Sequence, residues 1–390
     1  MQTLPTELKG VIAEHLQKGT RPKKNLSAFR LVSKDFAYAA APSLFRSLKL
    51  SRHIESHKSI ANVLDNRPNF VNYVKNFSVV VSTLRHSHHR DSIENSTSII
   101  SRLNLFSALE TMCLRFPDDF DDEDGYQSEV QKLQNMIFEE LANLSPKLNA
   151  LRKLEIHGLI TQPNKGLRNA GFRSFLRDIA DLHIGVVSHV ETREELVRNT
   201  AYREFWDKDI VPFLTAPTDL TSFTLISDFR DGIIGPNYAV WDSMNWPKLR
   251  TLVVQGFIFN DKDASLAING LEAFILRHTS LTYLNLKDCL LNVNIPQVPK
   301  IRTWVDVFTG FQDGLVNLQK FTTYPHPRRP HCAKNDQYGV SYIHPCTQLG
   351  YSASFEKHEG PNPDEAFRDM TALETLMRRC RVRRQKMISR

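Results

Sequence analysis

The side chains of this chain best suited to chemistry are histidines and cysteines in its last third. His326, His331, Cys332, His344 and Cys346 fall within about twenty residues of one another, among prolines, and imidazole nitrogen and thiolate sulfur are the donors that hold zinc. The spacing argues against a structural zinc site: His331 and Cys332 are adjacent, and no C-x2-C pair accompanies them. An irregular segment closing the fold is the expectation, with no metal. His86, His88 and His89 in RHSHHR lie in a polar stretch and read as histidines of a surface loop. The chain has no G-x-x-x-x-G-K-[ST], no G-x-G-x-x-G after a strand, no H-E-x-x-H and no G-x-S-x-G. Phosphate cradles, zinc hydrolases and nucleophile elbows therefore have no support. No catalytic residue and no cofactor are expected, and the function is to be sought in binding.

What could bind depends on charge and on the elements that display it. The net charge is +7, but seven basic residues (Arg378, Arg379, Arg381, Arg383, Arg384, Lys386 and Arg390) sit in the last thirteen with no acidic one, leaving 43 basic against 43 acidic in the remainder. The body is neutral and the excess is a tail. Such a run suits nuclear import recognition, phosphate contact or a solvated, frayed end, and without interleaved aromatics sequence-specific nucleic-acid recognition is the least supported use. Apolar runs stop at a handful of residues, against the ~18–20 needed to span a bilayer, and no apolar h-region precedes Lys9 and Lys18. Five scattered cysteines, an odd number, fit reduced thiols. A soluble cytoplasmic or nuclear protein is expected, with no membrane partner.

The elements repeat. The signature apolar-x-x-apolar-x-apolar occurs at Phe45-Leu48-Leu50, Val74-Phe77-Val79, Leu109-Met112-Leu114, Leu151-Leu154-Ile156, Ile179-Leu182-Ile184, Leu220-Phe223-Leu225, Leu249-Leu252-Val254, Leu281-Leu284-Leu286 and, less fully, Leu318-Phe321. The alternating positions suit a strand with one buried face. Between them the spacing turns helical, as in Val130, Leu133, Met136, Ile137, Leu141 and Leu144. LTYLNLKDCLL carries a full leucine-rich-repeat pattern through Leu281, Leu284, Leu286, Cys289 and Leu291. The predicted fold is α/β: a short N-terminal three-helix unit (1–45), then an irregular leucine-rich-repeat solenoid of parallel strands with covering helices (46–325). An irregular Pro/His-containing segment (326–363) and a C-terminal capping helix with a basic tail (364–390) follow. The acidic run around Phe116–Tyr126 and the stretch Thr161–Arg173 read as insertions, the first a solvated loop.

In the first fifty residues, Leu8, Val11, Ile12 and Leu16 share one helical face behind Pro5; Asn25 and Ser33 can cap a second and a third helix, the third ending before Pro42. Leu4-Pro5, Glu7-Leu8, Ile12, Leu16, Leu26, Arg30-Leu31-Val32, Lys34, Phe36, Ala40 and Leu44-Phe45-Arg46-Ser47-Leu48 stand in the order of the F-box. Over residues 1–50 the chain resembles this module, by which substrate receptors attach to the Skp adaptor of cullin-RING ubiquitin ligases. With repeats behind it, the chain looks like a fungal-type F-box protein with an irregular leucine-rich-repeat region. Ser33 and Phe36 stand where Cys and Trp are common in that family.

The resemblance implies an SCF-type substrate receptor, not an enzyme. Its adaptor surface would draw on Leu4, Pro5, Leu8, Ile12, Leu16, Leu31, Val32 and Phe36, with a cullin joined through the adaptor. The x positions of the strands would form a continuous face for a protein substrate, including Arg152, Glu155, His183, Thr224, Arg250, Tyr283 and Asn285. Tyr283 is the anchor candidate. The competing readings are an interaction scaffold with a helical cap and no ligase link, and a basic-tailed protein associated with nucleic acid.

Overall fold

The computed structural model describes residues 4–51, 54–66, 68–81, 96–117, 129–144, 148–188, 199–227, 238–259, 270–287, 289–292, 303–324, 341–346, 350–352 and 363–389. It opens with three helices, α1 (Thr6–Gln17), α2 (Pro22–Arg30) and α3 (Lys34–Leu44). Pro5 sits at the cap of α1 with Glu7 in the first turn, and Ser33 Oγ caps α3 by accepting from the Phe36 amide at 3.3 Å. α2 starts at Pro22, so Asn25 lies inside the helix and does not cap it; proline at the first position loses no hydrogen bond and can begin the helix earlier. α3 runs through Pro42 instead of stopping before it. Tyr38, four residues back, is 74 % exposed, so water can replace the amide donor that Pro42 lacks.

The core of this unit is small. Ala13, Leu26 and Ala40 are buried together, with Leu16, Phe29 and Leu44 packed against them. Phe36 lies edge-on to Phe29, ring centroids 4.7 Å apart. Lys9 of α1, 4 % exposed, reaches the Asp35 carboxylate of α3 at 3.0 Å and lies 5.4 Å from the centre of the Phe36 ring, which ties the two helices together.

The strands follow: β1 (Ser47–Ser51), β2 (Asn76–Val80), β3 (Thr111–Arg115), β4 (Lys153–Ile160), β5 (Asp181–Val187), β6 (Ser222–Ser227), β7 (Thr251–Gln255), β8 (Ile258–Phe259), β9 (Tyr283–Lys287), β10 (Leu290–Asn292), β11 (Lys320–Tyr324), β12 (Ser341–Cys346) and β13 (Gly350–Ser352). Nine of them form one parallel sheet in the order β1-β2-β3-β4-β5-β6-β7-β9-β11. These nine coincide with the nine repeats of the apolar signature. A smaller sheet, β13-β12-β10-β8, was not anticipated; β8, β10 and β13 have only two or three residues each, too few to show an alternation.

Register explains why the signature repeats. Met112, Leu154, Leu182, Phe223, Leu252, Leu284 and Phe321 pair across adjacent strands in one row, and Leu114, Ile156, Ile184, Leu225, Val254 and Leu286 in the next. Both rows point into the core and are buried. One carbonyl before each strand accepts two amides of the following repeat: Arg152 O from Ala180 and Asp181, Thr221 O from Arg250 and Thr251, and Arg250 O from Thr282 and Tyr283. The repeats are thus joined both by backbone bonds and by apolar stacking, as a solenoid requires.

Helices cover the inner face, among them Glu129–Leu144, Ala170–Leu176, Gly270–Arg277 and Trp304–Gly314. Between Thr200 and Leu214 the helix contains one π turn, Phe205–Asp209, which turns both Trp206 and Asp209 inward. Asp209 there accepts from the Asn164 amide at 2.7 Å and from Arg168. The stretch Thr161–Arg173 contains the helix Lys165–Arg168 and the start of Ala170–Leu176. Of the acidic run, residues 118–128 lie outside the described residues.

His278 is buried between two repeats, and its bonds fix its protonation. Nε2 accepts from the Trp246 amide at 2.9 Å, and Nδ1 lies 2.6 Å from the Phe274 carbonyl, to which it can only donate. Protonation would destroy the first bond. Burial, helped by the charge of the neighbouring Arg277 and opposed by the bond to Phe274, holds the imidazole below its ordinary pKa. The unfolded chain therefore takes the proton first. Stability present above about pH 6.5 is lost as the pH falls below it. Urea midpoints at pH 7 and pH 5 should fall further for the natural chain than for His278→Gln; equal falls would contradict this assignment.

The C-terminal helix, Pro363–Ile388, packs Leu373, Leu376 and Cys380 onto the last repeat. Asp369 accepts from the Val305 amide at 3.0 Å, at the start of Trp304–Gly314. Arg383 donates to the carbonyls of Gln312 and Leu315 at its end, at 2.9 and 2.7 Å, and Arg379 pairs with Asp313 at 3.2 Å. Part of the basic run is therefore used structurally, and the helix extends to Ile388. Phe367 is 69 % exposed, not on the packed side. Among the described residues no helix is long and apolar enough to cross a membrane.

Candidate functional site

Two surfaces stand out, one at the N-terminus and one on the outer face of the sheet. In the three-helix unit, Leu4, Leu8, Val11, Ile12, Leu31, Val32 and Tyr38 are exposed, Leu31 by 85 %. Leu8, Val11 and Ile12 follow helical spacing along α1, Leu4 lies just before it, and Leu31 and Val32 occupy the turn from α2 to α3. Pro5 is exposed beside them. Leu16 and Phe36 face inward instead, Leu16 onto the small core and Phe36 onto Phe29 and Lys9. Of the eight residues expected at an adaptor surface, Leu4, Pro5, Leu8, Ile12, Leu31 and Val32 are exposed. Val11 and Tyr38 join them. Across the described repeats, only Leu105 and Val316 are comparably exposed large apolar residues before the C-terminal helix.

On the outer face the register aligns Cys113, Glu155, His183, Thr224, Val253, Asn285 and Thr322 in one row across seven strands. Four of the expected substrate residues, Glu155, His183, Thr224 and Asn285, share it. Tyr283 lies one row lower, where Lys320 Nζ covers its ring at 4.7 Å and its hydroxyl is 3.4 Å from Thr322 Oγ1. Arg152 and Arg250 precede their strands; their carbonyls join repeats and their side chains are exposed on the rim.

The row is most chemically dense at β3, β4 and β5. Lys153 Nζ lies 3.0 Å from Glu155 Oε1 and 3.4 Å from Asp181, while His157 Nε2 is 3.4 Å from Glu155 Oε2. The His157 and His183 rings lie 4.6 Å apart between centroids. Burial works against the ionised form of Glu155, but bonds from Lys153, His157 and Cys113 outweigh it and hold the carboxyl below its usual range. Burial pushes the Cys113 thiol up. It also lowers both imidazoles, His183 to about 4 with help from the nearby positive charge of His157 and Lys153. At neutral pH the cluster therefore holds an ionised carboxylate, two neutral imidazoles and a thiol. Cys113, Glu155 and His157 bring one ligand atom each to within 4.8 Å of one another.

His157 was not anticipated. It lies beyond the last apolar position of its repeat, yet the period of two that places Glu155 outside also places residue 157 outside. Just beyond it the register slips between Ile156 and Leu159 in a bulge at Gly158, whose φ is +74°. His326, His331 and Cys332 lie outside the described residues, as do His86, His88 and His89. His344 and Cys346 fall on β12.

No protein-family model matches this chain, and no curated protein matches it. Among solved structures it is similar to a Bacteroides fragilis protein determined by a structural genomics consortium. The identity is 11%, the match covers 71% of this chain and 68% of that one, and the TM-score is 0.35.

Proposed function

We propose that this chain is the substrate receptor of an SCF-type cullin-RING ubiquitin ligase. Its three-helix unit is read as an F-box that docks on a Skp adaptor, and its solenoid as irregular leucine-rich repeats that hold a protein substrate. It positions the substrate, and other subunits transfer ubiquitin. The observation that carries the reading is an inversion in α1–α3. The one large apolar side chain fully inside the unit is Leu26, whereas Leu4, Leu8, Val11, Ile12, Leu31 and Val32 are outside. A unit of this size gains little from so small a core, and a concentration of exposed apolar side chains marks a protein contact. The residues outside are largely those that the resemblance assigns to the adaptor. The outer strand row offers the substrate a surface of mixed polarity, on the side away from the covering helices.

Co-expression with a Skp adaptor tests this reading. The intact chain is expected to co-purify with the adaptor, and a chain lacking residues 1–45 is expected not to, with circular dichroism showing that its repeats remain folded. A folded intact chain that fails to co-purify would favour a repeat scaffold with a helical cap.

A further inference from the structure

We propose that Cys113, Glu155 and His157, completed by His183, form a binding site for one zinc-class divalent metal ion on the outer strand face. The site goes beyond the adaptor reading and does not depend on it. Register pairs Cys113 of β3 with Glu155 of β4, and Glu155 with His183 of β5; His157, two residues beyond Glu155, stands on the same face by the strand's alternation. Three donors, from β3 and β4, therefore converge on a scaffold whose backbone is fixed by hydrogen bonds, and His183 stands beside Glu155 on the neighbouring β5. Three of the ligand atoms already lie within 4.8 Å of one another. A tetrahedral zinc ion with bonds of about 2.0–2.3 Å brings its donors to about 3.5 Å apart, so side-chain rotations of about 1 Å would close the site.

The fourth donor is supported by a separate observation. His183 Nε2 is buried and has no hydrogen-bond partner, although its ring lies 4.6 Å from that of His157. A buried polar atom without a partner calls for an explanation, and a ligand at this point would supply one. Glu155 is already oriented, since Lys153 holds Oε1 and leaves Oε2 toward His157. Lys153 is held in turn by Asp181. This is the outer-shell support that metal-binding carboxylates have. The donor set decides the metal: sulfur and imidazole with one carboxylate suit zinc and cobalt, and disfavour magnesium and calcium. The thiolate and carboxylate together balance the charge of a divalent ion, and the thiol proton is released when the metal enters.

The test uses the full chain, freed of metal, with Cys332→Ser and Cys346→Ser introduced so that the C-terminal segment supplies no thiolate. Cobalt(II) is the probe. The proposal expects a thiolate-to-cobalt charge-transfer band and tetrahedral d–d bands that saturate at one equivalent and are bleached by zinc. Cys113→Ser should abolish the charge-transfer band, while His157→Ala and His183→Ala should each weaken binding by about tenfold or more. Urea midpoints measured without metal establish that each variant is folded. Absence of a saturable thiolate band, or its persistence in a folded Cys113→Ser chain, would overturn the proposal.

Discussion

Gly158→Ala is expected to destabilise this chain by about 2–5 kcal/mol, through a left-handed backbone penalty and a steric one. Gly158 has φ +74°, and a Cβ placed there would lie 2.5 Å from the Phe116 carbonyl oxygen. Neither neighbour can yield cheaply. Phe116 is fixed to the same strand because its amide donates to His157 O at 2.9 Å, and Gly158 O is held by buried Gln134 at 2.8 Å. Gly185→Ala is the matched comparison. Its Cβ would meet nothing closer than 3.6 Å, and its φ lies outside the left-handed range. It should therefore be within about 1 kcal/mol of the natural chain, or slightly more stable. Urea unfolding can be followed by fluorescence, since Trp206, Trp241, Trp246 and Trp304 are all buried. Equal midpoints for the two variants would mean that the bulge tolerates a side chain and that the account of β4 is wrong.

Leu8→Asp combined with Leu31→Asp should weaken adaptor binding by about a hundredfold or more, the scale of losing interface hot spots. Stability should hardly move. Leu8 is 49 % and Leu31 85 % exposed, and exposed substitutions usually stay within about 0.5 kcal/mol. Leu26→Asp should behave in the opposite way, because it places a charge in the only core that α1–α3 possess. It would unfold the unit and lose the adaptor indirectly. The pair separates a docking face from a merely necessary fold: binding lost with stability intact identifies the face. If the double variant were itself unfolded, or bound as the natural chain does, Leu8 and Leu31 would not be docking residues.

The repeat body was legible because one pattern reports two buried rows at once. An apolar residue at positions such as Leu154 and Ile156 faces the core in every repeat, so each strand carries the same signature. The α/β class and all nine strands of the large sheet followed from that. Where burial did not follow the period, the reading stopped. β8 and β13 have two and three residues, too few for alternation. The π turn at Phe205–Asp209 depends on how Trp206 and Asp209 meet Phe257, Asn164 and Arg168. Phe367 has the spacing of a packed residue but lies beyond the surface that the helix covers. In the candidate sites, the outward positions of the repeat signature named Glu155 and His183, yet their meeting with Cys113 and His157 is a matter of register between strands far apart in sequence. The division of the helical unit into outward Leu8 and inward Leu16 likewise required the angles between the helices.

The central claim is that α1 and the α2–α3 turn are a docking surface for a Skp adaptor. Hydrogen–deuterium exchange of the purified chain, with and without saturating adaptor, tests it most directly. The account predicts slowed exchange in α1 and around Leu31 and Val32, with the outer strand face unchanged. No protection in α1–α3, or protection confined to the repeats, would contradict it.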